Sequence, residues 1–306
     1  MKKAIIVGSA GQDGRLLEDL LRKKNYDLLG IHKDGAVDIT QASAVEKAVK
    51  DFQPAEIYYL AAYHHSSQDK ISDQAGLFEK SFQINTLAFI NFLEAACRVC
   101  PGARLLYAAS SKVFGEPPAG VQTELTPMNP GCAYGMSKAT GVAACRLYRS
   151  SHKIFASAAI LYNHESSLRG EQFLSRKIIK GAVAIKNGTQ DRLELGDLGA
   201  EVDWGYAPDY VDAMFRILQL ERAEDFIVAI GEKHSVKEFA EIAFRSLDLD
   251  WKKYVKENKG IIQRSARTMV GDPSKLKRLT GWRPTVNFEQ MIHKLLESEG
   301  VPAHGQ

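Results

Sequence analysis

Gly8-Ser9-Ala10-Gly11-Gln12-Asp13-Gly14 follows the apolar run Ala4-Ile5-Ile6-Val7 and leads into Leu16, Leu17, Leu20 and Leu21. The run reads as a buried parallel strand, and the leucines, spaced i, i+1, i+4, i+5, as a helix packed on a sheet. A strand, a tight glycine turn and a helix N-terminus make an anion site. The glycines let a pyrophosphate approach the backbone, and the helix's free N–H groups face it. A glycine-rich loop alone is weak evidence; its place directly after the first strand raises its weight. The stretch predicts an α/β fold with a dinucleotide over Gly8, Gly11, Gln12, Asp13 and Gly14.

The second strand, Tyr26 to Ile31, is followed by His32-Lys33-Asp34. An acidic residue there binds the adenosine ribose 2′-OH of NAD, and a basic one accommodates the 2′-phosphate of NADP. Lys33 favours NADP, while Asp34 keeps NAD open. Asp38-Ile39 reads equally as an adenine contact or, through Asp38, as a cap before a helix that starts near Gln41.

Further along stands Tyr134-Gly135-Met136-Ser137-Lys138. Tyr134 and Lys138, four apart on a helix, lie on one face. A free tyrosine titrates near pH ~10 and is a poor base unless a cation favours the phenolate. Lys138 is expected to supply that cation, so that Tyr134 takes the proton of a sugar or alcohol hydroxyl while a hydride leaves for a nicotinamide. Taken without the glycine loop, the pair is an ordinary helix surface. The buried strand Leu105-Leu106-Tyr107-Ala108-Ala109 ends at Ser110-Ser111-Lys112, and reactive groups of open α/β sheets sit at such carboxyl ends. Ser110 is placed to share the reacting hydroxyl's proton with Tyr134. Lys112 is either a solvated loop lysine or an amine depressed toward a useful pKa of ~7 to 8.

At this point the chain resembles an extended short-chain dehydrogenase/reductase, and within it the GDP-mannose 4,6-dehydratase branch. The likeness rests on Gly8 to Gly14, on Pro54-Ala55-Glu56-Ile57-Tyr58-Tyr59-Leu60-Ala61-Ala62 and on Tyr134 to Lys138. It continues through Asn163-His164-Glu165-Ser166, Arg169-Gly170, Phe173, Arg176-Lys177-Ile178, Asp203-Trp204-Gly205 and Asp209-Tyr210-Val211. In Ile227-Val228-Ala229-Ile230-Gly231-Glu232, Ala229 stands where the family usually has threonine. The resemblance implies a Rossmann-type doubly wound parallel sheet with a smaller, interleaved C-terminal substrate-binding lobe. It implies NADP-dependent oxidation of a hexose C4 by Tyr134 and Lys138, with Ser110, usually threonine, on the C4 hydroxyl. The C5 proton is then abstracted, the C6 hydroxyl leaves as water, and the hydride returns to C6. Leu60, Ala61, Ala62, His164 and Arg169 fall beside the cofactor, and Ser111, Asn163 and Lys177 on the nucleotide-sugar side.

Three departures stand against the family pattern. Lys112 replaces the glutamate that removes the C5 proton, although some related dehydratases carry lysine there. Val202 replaces an arginine that neutralises the substrate pyrophosphate, a bidentate contact valine cannot make. Arg192, Arg264 and Arg267 are the candidate substitutes, or else solvated surface arginines. Between Ile31 and Asp38 the chain lacks the family's long arginine- and serine-rich segment, as nucleotide-sugar 4-ketoreductases do. Three readings follow: a nucleotide-sugar 4,6-dehydratase, a 4-keto-6-deoxy-sugar reductase or epimerase, and a non-catalytic cofactor-binding protein. Retention of Ser110, Tyr134 and Lys138 disfavours the last.

A length of 306 residues with 45% hydrophobic content supports one interleaved unit with a large core. Residues 1–163 are expected to bind the cofactor, with a return to that lobe at about 204–232, and 164–306 mainly the substrate. A net charge of +3 without a basic stripe excludes nucleic acid as a partner. No run reaches the ~18 apolar residues of a membrane span, and Met1-Lys2-Lys3 leads into a strand and not a signal peptide, so a cytoplasmic enzyme is expected. The cysteines Cys97, Cys100, Cys132 and Cys145 need no disulfide there, and Cys97-x-x-Cys100 lacks a second ligand pair, so no metal is expected. His64 and His65 reach substrate or stand as a solvated loop pair. Stripes at Leu93 to Cys97 and Val142 to Leu147 read either as core or as a four-helix contact of a homodimer or homotetramer.

Overall fold

Ala4, Ile5, Ile6 and Val7 are all buried, as a strand covered on both faces requires. They form β1 (Lys3–Val7), and the computed structural model describes residues 1–64, 72–116, 120–261 and 268–301. The chain continues as α1 (Gln12–Lys23), β2 (Asp27–Ile31), α2 (Ala42–Phe52), β3 (Glu56–Tyr59) and α3 (Gln74–Phe82). One π-helical turn, Gln83–Leu87, passes directly into α4 (Ala88–Val99), followed by β4 (Arg104–Ser110) and a 3₁₀ turn, Ser111–Phe114. Next come β5 (Val121–Gln122), α5 (Ala133–Ser151), β6 (Phe155–Leu161), β7 (Asn163–Glu165) and α6 (Leu174–Lys186). Short strands β8 (Leu193–Leu195), β9 (Glu201–Val202) and β10 (Trp204–Tyr206) lead to α7 (Ala207–Ile217) and β11 (Asp225–Val228). The remainder is β12 (His234–Ser235), α8 (Val236–Arg245), α9 (Trp251–Tyr254), β13 (Val255–Glu257), β14 (Val270–Gly271), α10 (Ser274–Thr280) and α11 (Phe288–Glu297).

Six strands pair in the order β2-β1-β3-β4-β6-β11, all parallel. The order runs outward from β1 in both directions, so the switch point, where such sheets open a crevice for ligands, lies between β1 and β3. The expected doubly wound sheet is therefore present, with helices filling both faces. Its core takes Leu17 and Leu21 from α1, Phe89 and Phe92 from α4, and Val142 and Cys145 from α5.

A second core gathers Ile178 and Ile179 of α6, Phe239 and Phe244 of α8 and Ile292 and Leu295 of α11 around Leu195 and Trp204. The chain crosses between the two cores more than once. After α6 it returns through β10, which pairs with β7, and through β11 in the main sheet. It returns again at the end: β14 pairs with β5, and Leu276 and Trp282 are fully buried in the first core, with the Trp282 indole donating to the Asp209 carbonyl at 2.8 Å. Among the described residues no helix is long and apolar enough to cross a membrane.

Two readings that the sequence leaves open are narrowed. α2 starts at Ala42 with Gln41 as its cap, so Asp38 is not a helix cap; its carboxylate accepts from Thr40 N at 2.9 Å and Thr40 Oγ1 at 2.7 Å in a tight turn. Most of the stripes at 93–97 and 142–147 face the core, since Leu93, Ala95, Ala96, Val142, Ala144 and Cys145 are buried. The exposed apolar residues of this region are Leu87, Met136 and Leu147.

Candidate active site

The glycine loop is tight because it must be. Gly8 has φ +94°, and a Cβ there would stand 2.7 Å from Ala61 N; Leu60 N also donates to Val7 O at 2.8 Å. The turns after β1 and β3, which carry Gly8 and Leu60-Ala61-Ala62, are thus packed together at the switch point. The end of β2 joins them, with Gly8 N donating to Ile31 O at 2.7 Å. A Cβ on Gly11 would meet only Gly8 O, at 3.3 Å, and Gly11 offers no side-chain cap to α1. An open glycine face before an uncapped helix N-terminus fits a dinucleotide pyrophosphate. Lys33 is exposed in the turn after β2, and Asp38 is exposed beyond it, while Ile39 O is held by Asn91 Nδ2 at 3.0 Å.

The Gln12 and Asp13 side chains turn into the protein. Gln12 accepts from Ser166 Oγ at 2.9 Å and donates to His164 O at 3.3 Å. His164 Nε2 lies 3.0 Å from Asp13 Oδ2, and its ring stacks on Tyr210 with centroids 4.6 Å apart.

Ser110, Tyr134 and Lys138 come together at the carboxyl end of β4, with the Lys112 backbone against the first turn of α5. Cys132 caps α5, its sulfur accepting from Gly135 N at 3.4 Å, which sets Tyr134 in the first turn. A Cβ on Gly135 would stand 2.5 Å from the Lys112 carbonyl oxygen, so only glycine lets that turn touch the 110–112 segment. Ser110 is hydrogen-bonded to the Tyr134 phenol. Ser111 is buried beside it and Lys112 is half-buried. The His64 ring stands edge-on to Tyr134, centroids 4.8 Å apart, and 5.5 Å from Phe173, so loop 60–64 covers the tyrosine. His65 lies outside the described residues.

Electrostatics here depart from the sequence reading. Lys138 is 1% exposed, donates to Ala108 O at 2.7 Å and lies 5.8 Å from the Tyr134 ring centroid. Burial pulls its ammonium down to about 7, against an opposing pull from Asp13. Burial pushes Tyr134 up to about 12, with the Ser110 hydrogen bond opposing. The expected lowering of the phenol by Lys138 is therefore not found: Lys138 is buried and Tyr134 half-buried, and loss of hydration is the largest cause of each shift.

Asn85 went unnoticed in the sequence. Lodged in the π turn and fully buried, it accepts from Tyr63 N at 2.7 Å and donates to Tyr63 O at 3.2 Å and Ser137 Oγ at 3.0 Å. It ties the loop carrying His64 to the turn carrying Tyr134 and Lys138. A polar residue inside an apolar helical run was the available signal.

Asn163 is exposed at the start of β7 and Lys177 is half-buried near the start of α6. Glu165 is buried, accepts from Ser175 Oγ at 2.5 Å and faces Arg169 Nε at 3.4 Å, while Arg169 lies 3.8 Å from the Phe173 centroid. Val202 pairs in register with His234, and Arg192 is exposed before β8. Arg264 and Arg267 lie outside the described residues. Among the described residues no group of His, Cys, Asp and Glu is placed to hold a metal.

Fold, glycine loop and the Ser110, Tyr134 and Lys138 cluster define a nucleotide-binding enzyme of the extended short-chain dehydrogenase/reductase class. In overall fold the chain is similar to RMD from Pseudomonas aeruginosa complexed with NADPH (TM-score 0.82, 20% identity, 97% of this chain and 98% of that one). It is similar also to dTDP-glucose 4,6-dehydratase from Bacillus anthracis in complex with NAD (TM-score 0.83, 18% identity, 98% and 97%). The family model for GDP-mannose 4,6 dehydratase matches residues 34–295. GDP-mannose 4,6 dehydratase 2 of Arabidopsis thaliana is 33% identical, over 97% of this chain and 87% of that protein. GDP-mannose 4,6 dehydratase 2 of Caenorhabditis elegans is 31% identical, over 97% and 89%. The chain belongs to the GDP-mannose 4,6-dehydratase family.

Proposed function

We propose that the protein is an NADP-dependent nucleotide-sugar 4,6-dehydratase, a lyase that removes water across C5 and C6 of a hexose, with a GDP-linked hexose favoured and NAD as the other candidate cofactor. The observation that carries this reading is the convergence of Ser110, Tyr134 and Lys138 beside an open glycine loop, with Lys112 in the turn that follows Ser110, in a chain of this family. A dinucleotide held over Gly8, Gly11 and Gly14, near Leu60, Ala61, Ala62, His164 and Arg169, supplies a hydride acceptor at C4 and the same hydride for C6. Tyr134 binds the C4 hydroxyl and takes its proton as C4 becomes a ketone, with Ser110 sharing that proton. Lys138, buried 5.8 Å from the Tyr134 ring centroid and bonded to Ala108 O, holds its amine beneath the tyrosine, where burial favours the neutral form. Lys112 as the free amine takes the C5 proton that the C4 ketone acidifies and passes it to the C6 hydroxyl, which the electron pair left at C5 expels as water; as the hydride reaches C6, C5 regains a proton from Tyr134, the one taken from the C4 hydroxyl. His64 and Ser111 border the sugar, and Asn163 and Lys177 the nucleotide end. The lobe built on the six-stranded sheet binds the cofactor, and the lobe around Trp204 closes on the substrate.

The test is Lys112→Ala. It should stop loss of water while a 4-keto intermediate, trapped by reduction with borodeuteride, still forms; undiminished dehydration would remove Lys112 from the role. A second reading, an NADPH-dependent reductase or epimerase of nucleotide 4-keto sugars, is favoured by the short exposed turn 32–37, which leaves few side chains to retain the cofactor. The exposed Leu87, Met136 and Leu147 support a homodimer or homotetramer built on α4 and α5.

A further inference from the structure

Gly11-Gln12-Asp13-Gly14 and Asn163-His164-Glu165-Ser166 are bonded to each other across 151 residues of sequence. The Gln12 side chain makes two of the bonds, to Ser166 Oγ and to His164 O. The third is chemically constrained. His164 Nδ1 stands 2.7 Å from the Tyr162 carbonyl oxygen, and Nε2 stands 3.0 and 3.1 Å from the two Asp13 oxygens. A carbonyl and a carboxylate only accept, whereas a neutral imidazole has one N–H and one lone pair. A neutral ring would set its lone pair against one of these oxygens; the imidazolium satisfies both.

The surroundings decide the same way. His164 is 7% exposed, and burial alone would favour the neutral ring. Asp13, facing it from α1, overrides that penalty, and Arg169 from the loop after β7 opposes only in part. Tyr210 of α7 stacks on the ring, Tyr162 at the end of β6 offers only its carbonyl, and Glu165, next on β7, is taken up by Ser175 and Arg169. Asp13 lies in the first turn of α1, where an unpaired carboxylate would repel an incoming pyrophosphate.

We propose that His164 acts as a protonated positioning residue, its imidazolium neutralising Asp13 and fixing the glycine loop to β7, so that a dinucleotide meets a helix N-terminus free of bare negative charge. The proposal rests on the dinucleotide reading of that loop. It also makes the β7 segment, which leads into the substrate lobe, part of the cofactor platform.

The test begins on the protein alone, with nitrogen-15 NMR of the histidine rings. Both His164 nitrogens should carry protons at pH 7.5, and in Asp13→Asn, whose amide can donate to Nε2, one of them should not. NADPH binding then separates a charge role from a packing role. His164→Gln should weaken it ~10-fold or more by leaving Asp13 bare, and adding Asp13→Asn should restore most of that loss. Native binding should weaken as pH rises through the His164 titration, and Asp13→Asn should flatten the profile. One protonated nitrogen in the native ring, or no rescue by the double variant, would overturn the proposal. A native protein that bound no dinucleotide would instead overturn the cofactor reading beneath it.

Discussion

At the scale of single residues, the site is governed by burial. Lys138 sits where an ammonium loses its water, so its folded value falls to about 7 while the unfolded chain titrates at the ordinary 10.5. Between those values the unfolded state binds more protons, so this group makes stability rise with pH from about 7 to 10.5. Below that window its full cost is present. Lys138→Met should therefore stabilise the fold by roughly 1–3 kcal/mol near pH 6, with the gain shrinking toward pH 10. Urea unfolding at both pH values measures this, and a gain that grows with pH would contradict it. The same variant should be inactive. Tyr134→Phe should remove C4 oxidation, a loss of ~100- to 10,000-fold if proton transfer makes its usual contribution. That Ser110, Tyr134 and Lys138 lie together was legible in the sequence, because Tyr134 and Lys138 are one helical turn apart and Ser110 ends a buried strand. Their proton affinities were not, because desolvation depends on what the rest of the chain packs around them.

Among elements, the decisive pieces are the turns that follow β1, β3 and β4, and the π turn that braces the β3 turn against the start of α5. Asn85→Ala would leave Tyr63 N and Ser137 without their partner and should cost about 1–3 kcal/mol, with a fall in kcat larger than any change in dinucleotide affinity. Chemical denaturation and steady-state kinetics check the two halves of that expectation. The strands and the helix after the glycine loop were legible because their apolar residues repeat at strand and helix periods. The π turn was not, since Gln83–Leu87 continues a helical pattern without a break and its extra residue shows only in backbone bonding. The apolar stripes of α4 and α5 show the same limit: periodicity marks a buried face but does not say whether a sheet or a second subunit buries it. Leu87, Met136 and Leu147 are what remains exposed, and if α4 and α5 pair subunits as proposed, Leu147→Glu should lower the mass seen by sedimentation. An unaltered oligomer would place the contact elsewhere.

For the whole molecule, two cores share one chain that crosses between them repeatedly. The last crossing, at β14 and α10, was illegible because two-residue strands carry no period and Trp282 carries no sign of the core it enters. Trp282→Ala should cost about 3–5 kcal/mol and loosen the sheet lobe, not only the C-terminal region, in hydrogen exchange. Protection lost only around α11 would contradict that packing. The turns after β1 and β3 pack on each other, and the β1 loop is bonded to β7, so the sheet core and the segment that leads to the second core are joined at this end of the sheet. The most direct measurement is mass spectrometry of GDP-, CDP-, UDP- and dTDP-hexoses incubated with the protein and a catalytic trace of NADP. A 4,6-dehydratase should remove one water from one member of the set, with the GDP-hexose favoured. No change in any of them, together with NADPH consumption when 4-keto-6-deoxy sugars are offered, would contradict it and move the chain to the reductases.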